Sequence, residues 1–248
     1  MIWARLLPKS GIRRQGSEIM DPLKFVTTGD GSKTIFNSAV GENYHSTHGA
    51  LQESRHVFLS AGLQYFLANN TQKDISILEV GFGTGLNFLL SADHCANNRI
   101  RLDYTGIEAY PLNEEMISRT GYDEYVSAEV WDSFIKEYPA ALKQPVTLKP
   151  FCELYIADCE LVNFVTQKLY DVIYFDAFAS ARQPEMWNEK SIDHTIQFLK
   201  PGGVFVTYAI TGNLKRMLKS LGLKVEKAPG APGKREMLRA TKLADDLK

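Results

Sequence analysis

Hydrophobic residues follow two alternating patterns along this chain, and the alternation begins near residue 50. Short apolar runs that end at glycine or at an acid are typical of buried parallel strands, whereas apolar residues three or four positions apart are typical of helices. The strand pattern occurs at residues 75–80, 102–109, 151–158, 169–178 and 202–209. The helical pattern occurs at residues 53–68, 86–95 and 189–200. This order predicts an α/β fold with a doubly wound, mostly parallel sheet.

Three segments do not follow the simple alternation. Residues 23–45 predict a hairpin that turns at Gly29-Asp30-Gly31, and residues 111–150 predict a helical insertion between the second and third strands. Residues 222–241 contain two strand-like runs around a Pro/Gly turn, which predicts an antiparallel pair at the sheet edge. We therefore expect an N-terminal extension with the hairpin over residues 1–48 and one domain over residues 49–248.

Length, charge and composition narrow the class of protein. The 248 residues suit one α/β domain with a substantial core, and 44% hydrophobic and 23% charged residues are typical of a soluble protein. The formal net charge is −1, so binding to nucleic acid requires a local basic patch. Three cysteines without a C-x-x-C pair suit the reducing cytoplasm.

The sequence gives no sign of a membrane segment. No apolar run approaches the roughly 20 residues that span a bilayer. Residues 1–20 are positively charged but lack the apolar stretch of a signal peptide, so we expect a loose leader with Met20 as an alternative start.

The stretch "ILEVGFGTGLN" at residues 77–87 is the first candidate for chemistry. Gly81, Gly83 and Gly85 follow a predicted strand and precede a helix, where glycine permits a close backbone approach and the helix terminus offers free N–H donors. The spacing G-x-G-x-G differs from the dinucleotide pattern, and Glu79 stands just before the turn. A carboxylate there suits a cofactor with a cationic amino acid end, which indicates S-adenosylmethionine. The alternative is a tight turn that binds nothing.

Acids also end the following strands. Glu108 lies about thirty positions after the loop, where a carboxylate can accept both ribose hydroxyls. Asp158 ends the third strand, where the adenine amino group is expected, and Asp176 ends the fourth at the mouth of the site. Each acid alone has a simpler interpretation as a solvated strand end, but acids at consecutive carboxyl ends predict one pocket. We add Tyr44 and Asn87 to the predicted cofactor contacts.

Other candidates are weaker. His45 and His48 lack a carboxylate or cysteine partner at metal-ligand spacing, so no metal site is predicted. Phe178 and Trp187 suit stacking on a base or ordinary packing equally well. Residues 213–248 contain ten Lys or Arg against four Asp or Glu, which is either a solvated face or a surface for a phosphate backbone.

These residues resemble a known family, the methyltransferase domains of the MnmC type, which take part in bacterial tRNA 5-methylaminomethyl-2-thiouridine biosynthesis. The resemblance covers roughly residues 40–240. Its blocks are "GALQESRHVFL" (49–59), "GFGTGLNFL" (81–89), "YFDAFASARQPEMW" (174–187), "LKPGGVFVTYA" (199–209) and "GKREML" (233–238). The glycine loop and "LKPGG" are common to many methyltransferases, whereas the aspartate block and "GKREML" are much narrower.

The resemblance implies a class I, Rossmann-like fold that transfers a methyl group from S-adenosylmethionine to the exocyclic amine of 5-aminomethyl-2-thiouridine at the tRNA wobble position. It assigns cofactor contacts to Gly81, Gly83, Glu108 and Asp158, and catalysis to Asp176. From the basic C-terminal third we expect Lys234 and Arg235, in "GKREML", to contact the tRNA backbone near the site.

Two departures from the family pattern matter. Better-known members are fused to a flavin-dependent oxidase that makes the aminomethyl group, for which 248 residues leave no room, so a separate enzyme is expected to supply it. The block "DAFASAR" has alanine and serine where glycine and proline are commoner. The alternatives are a small-amine methyl- or aminopropyl-transferase, for which no further aspartate follows Asp176 before Glu185, and a non-catalytic RNA-binding protein, which would not need the acids.

Overall fold

The computed structural model describes residues 22–243, which begin with a small antiparallel sheet. Its strands, in order, are β1 (Leu23–Thr27), β2 (Lys33–Asn37) and β3 (Glu42–Asn43). Asp30 closes the turn between the first two strands, because its Oδ1 accepts hydrogen bonds from Thr28 Oγ1 and Ser32 Oγ. The predicted hairpin is thereby confirmed. The predicted leader in residues 1–20, with Met20, lies outside the described residues.

A mixed eight-stranded sheet forms the centre of the described chain. Its strands are β4 (Asp74–Val80), β5 (Arg101–Glu108), β6 (Val146–Leu148), β7 (Cys152–Asp158), β8 (Tyr170–Phe175), β9 (Leu199–Thr207), β10 (Leu223–Pro229) and β11 (Glu236–Lys242). They lie in the order β10-β11-β9-β8-β4-β5-β7-β6. Five neighbouring strands of this sheet are parallel, namely β9, β8, β4, β5 and β7. The β10/β11 pair is antiparallel at one edge, as predicted.

Helices connect the parallel strands. They are α3 (Leu86–Asn97), α4 (Glu114–Ser118), α5 (Ala128–Ala141), α6 (Glu189–Ile196) and α7 (Gly212–Ser220). The predicted insertion at 111–150 is mainly helical, but it ends in β6, which pairs antiparallel with β7 and was not predicted. Between β7 and β8 only a short 3-10 turn at Leu161–Asn163 replaces a crossover helix.

The helix before the main sheet is unusual in its middle. It begins as α1 (Ala50–Glu53), continues as a π-helix over Ser54–Gln64 and ends as α2 (Tyr65–Ala68). The sequence pattern predicts an ordinary helix here, and the wider π turn is the difference. A Cβ atom on Gly62 would lie 2.8 Å from the Tyr174 ring, so this helix packs closely on the sheet.

Both faces of the sheet are buried. Along β8, Val172 and Tyr174 contact the core beside α3 and α5, whereas Ile173 and Phe175 contact the core beside α6 and α7. A sheet covered on two faces exposes its polar groups mainly at the strand ends, and the carboxyl ends of the parallel strands meet at one edge. Within residues 22–243, no helix has the length and apolar character needed to cross a membrane.

Candidate active site

The glycine loop after β4 is held in a conformation that only glycine adopts readily. Gly81, Gly83 and Gly85 have φ angles of 87°, 53° and 78°, and Gly85 is the N-cap of α3. A Cβ on Gly81 would lie 2.4 Å from the carbonyl oxygen of Asp176, and one on Gly83 would lie 2.9 Å from the Tyr44 ring. The loop is therefore enclosed by two other predicted site residues.

A buried acid and an amide lie beneath this loop. Asn87 Nδ2 donates 2.8 Å hydrogen bonds to Glu79 Oε1 and to Asp176 Oδ2, and Tyr104 Oη donates one of 2.8 Å to Glu79 Oε2. Burial, and then the nearby charge of Asp176, raises the pKa of Glu79 well above its usual range. Glu79 is only 1% exposed, so it faces the site through Asn87 rather than directly.

Asn87 also carries a buried acceptor without a donor within residues 22–243. Both carboxylates receive bonds from its Nδ2, which fixes the orientation of the amide. Its Oδ1 is buried and has no hydrogen-bond partner among the described residues. A buried acceptor without a donor is rare in proteins and often marks a ligand position. An orphan acceptor beside two acids fits the ammonium of an amino acid.

Glu108 and Asp158 end neighbouring strands in register. Glu108 Oε2 accepts from Gly83 N at 2.9 Å and Oε1 from Tyr110 N at 3.0 Å, so this carboxylate also fixes the glycine loop. Burial raises the pKa of Glu108 although the backbone donors oppose the shift. Asp158 is exposed at the strand end.

Asp176 directly follows β8, and its N–H donates to Val80 O at 2.8 Å. Burial, assisted by the charge of Glu53, raises the pKa of the Asp176 carboxyl to about 8, while the Asn87 bond and the charge of Lys234 hold it lower. The residue is only half-buried, so its carboxylate can still meet a ligand. A partly accessible acid with a strongly raised pKa is typical of functional sites.

The predicted aromatic residues divide into two groups. Tyr44 and Phe178 form an edge-to-face pair with ring centroids 5.2 Å apart, and both are partly exposed. Trp187 instead packs edge-on against Phe175 and Tyr208, is 9% exposed, and donates from Nε1 to the Phe178 carbonyl at 2.8 Å. The indole thus supports the backbone at Phe178, and Phe178 offers the more accessible ring.

The two basic candidates in the β10–β11 turn also differ. Lys234 Nζ donates to Glu53 Oε2 at 2.6 Å and lies 4.0 Å from the centroid of the Tyr208 ring. Its ammonium is therefore already engaged, and a phosphate contact would require it to leave Glu53. Arg235 is exposed.

Sequence reasoning missed Glu53 and Tyr208 as site residues. Tyr208 directly follows β9, so the rule that identified the strand-end acids also applies to it. Glu53 had no such signal, because it is the last residue of the one-turn helix α1, outside the sheet.

His45 is partly buried and hydrogen-bonded within the fold. His45 Nδ1 shares a 3.0 Å hydrogen bond with Thr34 Oγ1, and burial lowers the pKa of His45 to about 4. The described part of the chain contains no group of three or more His, Cys, Asp or Glu side chains that could hold a metal ion.

The donors and acceptors at this edge fit S-adenosylmethionine. The three glycines hold the loop in a left-handed conformation against Asp176 and Tyr44, Asn87 Oδ1 lacks a donor, and Glu108 stands at the next strand end. The edge is acidic on both sides of the loop, which suits a cofactor with a positive sulfur and an ammonium, and would repel a pyrophosphate.

Comparison with known proteins agrees with this fit. A family described as S-adenosyl-L-methionine-dependent methyltransferase matches residues 125–243. The "tRNA 5-methylaminomethyl-2-thiouridine biosynthesis bifunctional protein MnmC" of Methylobacillus flagellatus is 32% identical over 219 residues, which cover 82% of this chain and 33% of that protein. The protein of the same name from Leptospira interrogans is 32% identical over 206 residues, covering 79% and 32%. The chain thus spans about a third of the length of these relatives.

A solved structure shares the fold. The crystal structure of MNMC2 from Aquifex aeolicus superposes with a TM-score of 0.71 at 24% identity, covering 89% of this chain and 70% of that one. At this identity the likeness concerns the fold. The strand order itself confirms the predicted doubly wound, mostly parallel sheet with an antiparallel C-terminal edge.

Proposed function

Since an S-adenosyl-L-methionine-dependent methyltransferase family matches residues 125–243, we propose that this chain methylates the exocyclic amine of 5-aminomethyl-2-thiouridine at the tRNA wobble position. The observation that carries the proposal is Asp176, a half-buried carboxyl with a pKa raised to about 8, beside a glycine loop that fits the cofactor. The names of the relatives support the substrate, although this chain matches only a third of their length.

Each site residue has a proposed role in holding the cofactor, which when bound supplies a methyl group activated by a positive sulfur. The loop at Gly81, Gly83 and Gly85 gives the cofactor access to the backbone, and Asn87 Oδ1 accepts from its ammonium. Glu79 acts through Asn87, which it orients. Glu108 accepts from the ribose and Asp158 from the adenine amino group. Tyr44 covers the loop at Gly83, so the described part of the N-terminal extension, residues 22–48, contributes to the site.

Asp176 is proposed to hold the substrate ammonium and receive its proton. A primary ammonium has a pKa near the lysine reference of about 10.4, and an ordinary aspartate near about 3.9, so proton transfer between them is strongly uphill. With a pKa of about 8, Asp176 is much closer to the amine. Since each pKa unit corresponds to about 1.4 kcal/mol, the raised pKa removes most of this barrier. The deprotonated amine would be the nucleophile for the methyl group that bound S-adenosylmethionine would supply, with S-adenosylhomocysteine as the leaving group.

The remaining proposals concern tRNA. Basic side chains of α7 and β10 line an open groove, namely Lys215, Arg216, Lys219 and Lys227. With Arg235 they form a basic surface for phosphates, which suits a protein whose net charge is −1. A wobble base turned out of its stack can lie against Phe178. A separate enzyme supplies the aminomethyl group.

Methyl transfer to three acceptors tests the proposal. The purified chain with labelled cofactor is offered tRNA bearing 5-aminomethyl-2-thiouridine, the same tRNA without the modification, and free polyamines. We expect transfer only to the modified tRNA. Transfer to polyamines alone would establish the small-amine alternative, and cofactor or tRNA binding without transfer to any acceptor would favour the non-catalytic alternative.

A further inference from the structure

The ammonium of Lys234 occupies a site built for a cation. It meets the carboxylate of Glu53 on one side, with Nζ 2.6 Å from Oε2, and the face of Tyr208 on another, 4.0 Å from the ring centroid. An aromatic face and a buried carboxylate together are a common recognition site for ammonium groups. The Glu53 side chain is 8% exposed, so its charge needs a cation in this place.

Hydrogen bonds hold both residues of this cation site, Glu53 and Tyr208, and Tyr208 is bonded beside Asp176 at the carboxyl edge of the sheet. Glu53 Oε1 accepts from Ser46 N at 3.0 Å, which holds the carboxylate in place independently of Lys234. Tyr208 Oη donates to the carbonyl oxygen of Ala177 at 2.9 Å, and Ala177 directly follows Asp176. Asp176 is within electrostatic reach of Glu53 and Lys234. The cation site is therefore next to the group proposed to receive the substrate proton.

Lys234 is the movable part of this arrangement. It belongs to the turn between β10 and β11, and a third of its side chain is exposed. Gly233 precedes it with a φ of 87°, a conformation that glycine adopts without strain. A lysine on a flexible stem can leave toward solvent without disturbing Glu53 or Tyr208.

We propose that the site between Glu53 and Tyr208 binds the protonated aminomethyl group of the substrate, and that Lys234 fills it until the substrate displaces the lysine ammonium. This inference rests on the proposed function. The two ammonium groups have the same charge and similar size, and they exclude each other from one carboxylate. Glu53 and Tyr208 then bind the substrate amine, while Asp176 accepts its proton. Lys234 competes with the substrate amine for Glu53, so tRNA that carries the amine binds less tightly than it would if the cation site were empty.

Binding of two tRNAs tests the exchange. Affinities for tRNA with and without the aminomethyl group are measured by fluorescence anisotropy with S-adenosylhomocysteine present, and their ratio gives the selectivity for the amine. The pH is about 9, above the pKa of about 8 that Asp176 has in the parent protein. Glu53→Gln should reduce the selectivity about tenfold or more, because a hydrogen bond to a charged group is lost. Lys234→Met should raise it about threefold or more, because the competing cation is gone.

Arg235→Met is the matched control, since Arg235 is the exposed neighbour. It should weaken the binding of both tRNAs equally and leave the selectivity unchanged.

An unchanged or reduced selectivity in Lys234→Met would overturn the exchange, as would a wild-type protein that binds both tRNAs equally. Circular dichroism checks folding, and if Glu53→Gln fails to fold, the result for Lys234→Met decides. Methyl transfer by the wild type distinguishes failure of the exchange from failure of the proposed function. If the wild type methylates the modified tRNA but Lys234→Met does not change the selectivity, only the exchange is wrong. If the wild type transfers no methyl group, the proposed function is wrong.

Discussion

Two aspartates at opposite ends of one strand have opposite environments. Asp171 begins β8, is 4% exposed, and accepts hydrogen bonds from Ser76 N, Ser76 Oγ, Gln72 Nε2 and Lys200 Nζ. These donors outweigh burial and lower the pKa of Asp171. Asp176 follows the same strand, accepts one side-chain hydrogen bond, from Asn87, and has its pKa raised to about 8.

The two environments distinguish an acid that stabilises the fold from an acid placed for ligand binding. At the amino end of the sheet, each carboxylate oxygen of Asp171 has a donor, so the acid stabilises the fold. At the carboxyl end, Glu79, Glu108 and Asp176 are crowded together, and burial raises the pKa of all three. Such an edge is unfavourable in the protein alone and becomes favourable when a cationic ligand enters. Five mutations sharpen this comparison.

The largest effect is expected for Asp176→Asn. The amide keeps the shape but neither holds an ammonium as a charge partner nor accepts its proton, so kcat for methyl transfer should fall by about 10²- to 10⁴-fold. Cofactor affinity should stay within a few-fold of the parent. Single-turnover transfer to modified tRNA and calorimetric binding of S-adenosylhomocysteine provide the two measurements.

The same variant has a stability readout with a defined sign. A carboxyl whose folded pKa is raised from about 3.8 to about 8 stabilises the fold at low pH, and this contribution is lost as the pH rises through about 8. Asp176→Asn has no such loss, so its Tm should exceed that of the parent at about pH 9 and approach it at about pH 4. A lower Tm at both pH values would place Asp176 with the structural acids.

Glu108→Ala should weaken cofactor binding by about 1.5–3 kcal/mol, since bonds to a charged group are lost. Its carboxylate also fixes the loop through Gly83 N, so part of this loss comes from the loop. Calorimetry with S-adenosylhomocysteine measures the affinity, and Glu115→Ala on the exposed face of α4 is the control. Equal affinity in a folded Glu108→Ala protein would remove this acid from the site.

Asp171→Asn should lower the stability of the fold and leave methyl transfer unchanged, which is the opposite of the result expected for Asp176→Asn. It removes the charge that pairs with Lys200 and leaves part of the network around Ser76 unsatisfied, so we expect about 1–3 kcal/mol of lost stability. Lys200 is 40% exposed and can return to water, which limits the loss. Thermal unfolding measures it, with exposed Asp193→Asn as the control. Methyl transfer per folded molecule should be unchanged, and a specific loss of transfer would contradict the contrast between the two ends.

The sequence predicted the strand-end acids because their position follows from topology. Once parallel strands are recognised, their carboxyl ends must meet, and Glu108 and Asp158 indeed lie in register. Asp176 follows from the same rule. Nothing in that rule distinguishes a buried acid such as Glu79 from an exposed one such as Asp158, because exposure depends on the loops that cover the edge.

Contacts between distant segments could not be predicted in this way. Lys234 and Glu53 are 181 residues apart, and a basic residue in a turn indicates a solvent-exposed charge when only its neighbours are known. Trp187 lies in a short 3-10 helix, Pro184–Trp187, whose sequence has no hydrophobic period, so the burial of its side chain could not be predicted from the sequence. The π-helix at Ser54–Gln64 shares the apolar spacing of an α-helix over a short stretch, which hides the difference.

The smallest expected effect concerns the coupling of Glu53 to Asp176. After burial, the charge of Glu53 is the main cause that raises the pKa of Asp176, so Glu53→Gln should lower that pKa from about 8 by a fraction of a unit. Lys234→Met removes a charge that lowers it, and should shift it the other way. Carbon NMR of the labelled Asp176 carboxyl, titrated in the ligand-free protein, measures both shifts, with Asp176→Asn to assign the signal. If the two variants shift the midpoint in the same direction, or if the parent titrates near the ordinary value of about 3.9, then the carboxyl edge is no different from the amino edge, and the contrast between Asp176 and Asp171 fails.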